Sequence, residues 1–187
     1  MDKKLFRYQD SRFSPNARWL LLQWSRVVGI DQPLSCSLDE MCRLLGMTAQ
    51  QVRPALSELK LLGYVTSNKM PSGRGRPASC FQVSVELRQA LDKTKLPLTA
   101  HIEDIEELCR RAIVTRTKSS KDTSNLMSGK QRKHKLSPAT HWLLAVLLSN
   151  AEAAGVVTGL SYGALVVLTG MTRERLKSQL SKLKSIG

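Results

Sequence analysis

Four cysteines and three histidines are all that this 187-residue chain offers a soft metal, and they do not stand together. Cys36, Cys42, Cys80 and Cys109 form no C-x-x-C pair, and no histidine lies at ligand spacing to them. No metal or other cofactor is therefore indicated, and the thiols are expected to be reduced and mostly buried. Long apolar runs are also missing. The densest, Trp142 to Leu148, is far shorter than the roughly 18 apolar residues of a membrane span. The amino-terminal MDKKLFRYQDSRF carries basic residues with no apolar stretch behind them, so it does not read as a signal peptide. Catalytic signatures are lacking too: there is no G-x-x-x-x-G-K-[ST], H-E-x-x-H or G-x-S-x-G. The acids of Asp39-Glu40 and of Glu103, Asp104, Glu106 and Glu107 fall at helix starts, where the helix dipole favours them. The expectation is a cytoplasmic protein with no membrane partner, no catalytic residues and no enzyme activity.

Acidic residues are scarce. Fifteen Asp and Glu stand against 29 Lys and Arg, a formal net charge of +14. Such a balance favours an acidic partner, nucleic acid or an anionic surface, without choosing between them.

What the chain does have is a repeat. SLDEMCRLLGMTAQQVRPALSELKLLG, Ser37 to Gly63, returns as SYGALVVLTGMTRERLKSQLSKLKSIG, Ser161 to Gly187, at a constant separation of 124 residues. Leu44, Gly46, Met47, Thr48, Leu56, Leu59, Lys60 and Gly63 all have identical counterparts. Upstream, Ser14-Pro15-Asn16-Ala17-Arg18-Trp19-Leu20-Leu21 matches Ser137-Pro138-Ala139-Thr140-His141-Trp142-Leu143-Leu144 at a separation of 123. One residue is thus inserted in the second copy, within Gly155 to Leu160. In each copy a Ser caps a helix whose first residue is Pro, where the missing amide costs nothing.

The repeated stretch itself predicts two helices joined by a tight turn. Ser37 with Glu40 forms one capping box, and Thr48 with Gln51 a second. Gly46 closes the first helix, Leu38 to Leu45, in the left-handed conformation. On the second helix Val52, Ala55, Leu56, Leu59 and Leu62 share the core face, while Gln50, Arg53, Pro54 and Ser57 lie opposite. Pro54 falls beyond the first turn, so a kink or a locally opened turn is expected there. YVTSNKM and ASCFQVS, on either side of PSGRGRP, read as a β-hairpin, and Leu34 to Cys36 as a short strand pairing with it.

This succession resembles the winged helix-turn-helix DNA-binding proteins over residues 14 to about 85: ALSELKLLGYV resembles the end of their recognition helix, and RGRPASCFQVS the return strand of the wing. Arg74-Gly75-Arg76-Pro77 is also similar to the core of the AT-hook, a minor-groove binder. The fold implied is mainly α with a small β wing: two winged helix-turn-helix domains joined by a helix and a basic flexible linker. Its parts are a basic arm, residues 1–13, lying along DNA or covering a core; a first domain, 14–92; a connecting or dimerisation helix, 98–114; a basic flexible linker, 115–135; and a second domain, 136–187, its wing absent or truncated. In the connecting helix Ile102, Ile105, Cys109, Ala112 and Ile113 form one apolar stripe, able to pack on the first domain or to pair with a second protomer.

The resemblance implies sequence-specific binding of double-stranded DNA, association with the nucleoid, and a transcriptional regulator, a repressor before an activator. A plasmid or phage replication-initiation or segregation protein, or a protein-interaction module, is the alternative. The residues expected to meet DNA are Thr48, Gln50, Gln51, Arg53, Ser57, Lys60, Lys69, Arg74 and Arg76 in the first copy. In the second they are Thr172, Arg173, Arg175, Lys177 and Ser181. A homodimer is left open, and the sequence points to no small-molecule effector.

Overall fold

A computed structural model of the chain describes residues 1–69, 79–96, 99–119 and 136–185, the side chains of 114–119 excepted. The fold is mainly helical with one small sheet. A 3-10 turn, Lys3–Phe6, precedes α1 (Pro15–Val27), β1 (Leu34–Cys36), α2 (Leu38–Leu44), α3 (Ala49–Leu61), β2 (Val65–Lys69), β3 (Ser79–Val83) and α4 (Val85–Asp92). Then come α5 (Ile102–Ser119), α6 (Pro138–Ser149), α7 (Tyr162–Thr169) and α8 (Arg173–Lys184). The strands are antiparallel in the order β1-β3-β2. Leu34 to Cys36 forms the expected strand, with Ser35 opposite Cys80. Val65 and Val83 form the last pair of the β2-β3 ladder.

Caps set the helix boundaries. The hydroxyls of Ser14, Ser37, Ser137, Ser161 and Thr172 each accept the amide three residues on, which satisfies one of the orphan donors of the first turn. At Thr48 the reciprocal half of a capping box is present: its amide donates to Gln51 Oε1 at 2.9 Å. Gly46 and Gly170 close α2 and α7 at φ +64° and +66°, so the turn between the paired helices is built alike in both copies. The helical assignment of α3 runs unbroken through Pro54, whose ring lies on the exposed side. The missing proline amide leaves the carbonyl of exposed Gln50 facing water.

The two copies share one apolar core, a departure from the picture of two domains on a flexible tether. Their first helices, α1 and α6, pack on each other. Trp19 of α1 stacks on His141 of α6, ring centroids 5.1 Å apart. Arg18, buried in α1, donates to Val167 O of α7 at 3.2 Å. The arm belongs to the same core. Leu5, Phe6 and Phe13 are buried, and Phe6 stacks on Trp142 at 5.6 Å, so of the two roles expected for residues 1–13 the arm takes that of a cover. Arg18 Nη1 donates to Tyr8 O at 2.9 Å, and its Nη2 also donates to Asp10 O, which fastens the arm to α1.

The apolar stripe of α5 is likewise used inside the chain. Ile105, Cys109 and Ala112 are buried as α5 packs on α6 and α2, and Cys109 O accepts Gln23 Nε2 of α1 at 3.1 Å. The stripe is therefore unavailable for pairing protomers. α5 also extends to Ser119, five residues into the expected linker, because Arg and Lys sustain a helix wherever no breaker stops it. The rest of that linker lies outside the described residues.

Candidate nucleic-acid interface

The second helix of each pair presents one face to the core and one to water. In α3, Val52, Ala55, Leu56 and Leu59 are buried, and Gln50, Arg53, Pro54, Ser57 and Lys60 are exposed, the division that the 3.6-residue period requires. In α8 only Leu176 is fully buried, with Leu180 and Leu183 half-buried against the core. α8 therefore exposes more of its circumference than α3.

The expected DNA-contacting residues divide by what else they do. Thr48 and Thr172 stand at N-caps, and Gln51 spends its side-chain oxygen on the Thr48 amide, so these three shape their helices. The ammonium of Lys60 sits over the Phe81 ring at 5.1 Å, covering the sheet. Gln50, Arg53, Ser57 and Lys69 are exposed in the first copy, and Arg173, Arg175, Lys177 and Ser181 in the second. Arg74 and Arg76 lie outside the described residues.

The density of charge distinguishes the two copies. α8 carries Arg173, Arg175, Lys177, Lys182 and Lys184 against a single acid, Glu174. All five cations are exposed, and among the described residues none is in an ion pair. Glu174 is occupied locally: amide hydrogen bonding at its own position and the Thr172 hydroxyl hold its carboxyl below the usual range. Lys182 and Lys184 were not among the expected contacts. The signal for Lys184 was present, since it falls seven residues after Lys177 and eleven after Arg173, on the same face of the helix.

Position along the helix adds a second asymmetry. Lys182 and Lys184 sit in the last turn, where the helix dipole favours cations. Arg173 and Arg175 sit in the first turn, where it opposes them. The placement costs stability in isolation and prepares an anion site, because the free amides of the first turn point the same way. Tyr162 fixes this end by donating its hydroxyl to Arg173 O at 2.8 Å.

No known protein family, curated protein or solved structure matches the chain. None of the described helices is long and apolar enough to cross a membrane. Cys36, Cys42 and Cys109 are buried and Cys80 half-buried, all as free thiols.

Proposed function

We propose that the protein binds double-stranded DNA sequence-specifically and regulates transcription, its two copies being winged helix-turn-helix units held on one core. The observation that carries this is the exposed, unpaired row of cations on α8, two of them in the turn where the helix dipole opposes positive charge. Five cations on one twelve-residue helix suit a polyanion, and the +14 charge of the chain would draw the protein to it. In α3 the exposed Gln50 and Arg53 lie in the first turns, where recognition helices of this type meet base edges. Arg53 is suited to a bidentate contact with guanine and Gln50 to adenine. Lys69, at the exposed end of β2, is placed to hold a phosphate, and Arg74 and Arg76 would enter the adjoining minor groove. No chemistry is asked of the protein in this role, and the proposed place of action is the cytoplasm, on the nucleoid.

The test is selection from random duplexes at about 150 mM salt, where non-specific attraction is already weakened. The full chain should enrich a defined sequence, and Arg175→Ala with Lys177→Ala should weaken or erase part of it. Binding that disappears as salt rises, with no sequence enriched, would refute the proposal.

A further inference from the structure

Because the two helical pairs are copies, each serves as an internal control for the other. At a separation of 124 residues, the C-terminal halves of α3 and α8 diverge in one direction. Pro54, Glu58 and Leu61 stand where the second copy has Ser178, Lys182 and Ser185. The second set is polar and basic. The first is apolar with a carboxylate, and a polyanion gains nothing from either.

Leu61 is 86% exposed, more than any other large hydrophobic described. A lone exposed leucine is ordinary. This one borders a shallow groove of about 410 Å³ lined by Arg12, Pro54, Ser57, Glu58, Leu61 and Leu62. The groove is open and largely apolar between two opposite charges.

Those charges make it self-complementary. Arg12, its side chain 61% exposed, comes from the loop before α1, and Glu58 from α3. A copy turned about a two-fold axis brings Arg12 of one chain to Glu58 of the other, and the apolar strip to its own equivalent, as an isologous interface requires. Both rim groups are held in place beforehand. The Arg12 guanidinium is fixed by the Asp10 carboxylate at 2.8 Å and the Tyr64 hydroxyl at 2.7 Å. Glu58 Oε1 accepts the Ser14 amide, which leaves Oε2 for a partner. Groups already ordered lose less entropy on docking. The other apolar stripe that suggested pairing, on α5, is buried within the chain.

We propose that the C-terminal half of α3 is a self-docking surface through which two copies of this chain pair about a two-fold axis, each setting Leu61 against the other's groove. Such a dimer leaves both α8 helices and the first turns of α3 uncovered. The pairing is a property of the free protein, so it stands or falls separately from DNA binding.

Sedimentation velocity of the full chain without DNA, from about 1 to about 100 μM, the range in which interfaces of modest affinity fill, reads it directly. The mass of the wild type and of Leu61→Met should double with concentration. Leu61→Asp should keep a single-chain mass throughout, with unchanged far-UV circular dichroism because the side chain is exposed. A wild type that stays a single chain overturns the proposal, as does a dimer that survives Leu61→Asp undiminished. A single-chain wild type whose affinity for duplex falls in Leu61→Asp would overturn it too, and would assign the groove to DNA.

Discussion

Three glycines with nearly the same backbone offer a graded probe of how the copies are joined. Gly63, Gly46 and Gly170 have φ of +73°, +64° and +66°, so alanine at each meets the same left-handed penalty of about 1–2 kcal/mol. They differ in what the new methyl would touch. At Gly63 nothing lies within 4 Å; at Gly46 the Ala112 carbonyl oxygen and Ile113 lie at 3.0 Å; at Gly170 the Phe13 carbonyl oxygen lies at 2.0 Å. The last contact is with backbone, and relieving it must move the loop that holds Phe13 in the core and whose carbonyls bind Arg18. Forced repacking of this kind adds about 1–3 kcal/mol. Gly63→Ala should then cost about 1–2 kcal/mol, Gly46→Ala slightly more, and Gly170→Ala about 2–5 kcal/mol when the two contributions are taken together. The gain from a stiffer unfolded chain is common to all three and cancels in their differences. Urea unfolding with a common slope is the assay. Equal losses at the three positions would mean that the turn of the second pair does not press against the arm, and the account of the joined copies would fail.

The shared core further predicts that a protease cut between residues 120 and 135 leaves the fragments bound to each other through gel filtration, unfolding in one transition; fragments that separate would contradict it. Burial holds His141 below its ordinary value of 6.5, against a smaller opposite pull from the Ser137 carbonyl. The unfolded chain therefore takes up that proton more readily, so His141 stabilises the fold above its unfolded value, and this contribution is lost as pH falls below it. His101, raised by the Glu152 carbonyl and then by Asp104, acts in the opposite sense. Stability should consequently fall further between about pH 7.5 and pH 5.5 in the wild type than in His141→Phe, which keeps a ring against Trp19; identical slopes would exclude the assignment. On DNA, Arg53→Ala should cost about 1–3 kcal/mol and relax specificity, whereas Lys69→Ala should weaken all sequences alike; equal losses of Arg53→Ala on selected and random duplex, measured by fluorescence anisotropy, would remove Arg53 as a reader.

The parts legible in the sequence were those with local causes. Caps at Ser14, Ser37, Thr48, Ser137, Ser161 and Thr172, and the turn glycines Gly46 and Gly170, act over three or four residues and leave a signature of that length. The stripe Ile105, Cys109 and Ala112 was legible as a stripe, but its partner was not, since a period says that a face is buried and not against what. The joining of the copies did leave a trace. Leu143, Leu144, Ala145, Val146, Leu147 and Leu148 make α6 apolar on every side, which is how a helix looks when it is covered from more than one direction. Its neighbours α1, α5 and the arm supply that cover. Leu61 shows the converse: the helical period placed its neighbours correctly, yet no rule of spacing marks a surface leucine as a binding residue.

The stacking of Phe6 on Trp142 links residues 136 positions apart. During synthesis at about 5–20 residues per second, Phe6 waits on the order of ten to thirty seconds for the tryptophan to be made. Over that interval the arm has no ring to close on, and the first copy leaves the ribosome with part of its apolar surface open. Chaperone capture and aggregation of nascent chains should therefore concentrate before α6 emerges, and the arm, although translated first, should be among the last segments to become protected.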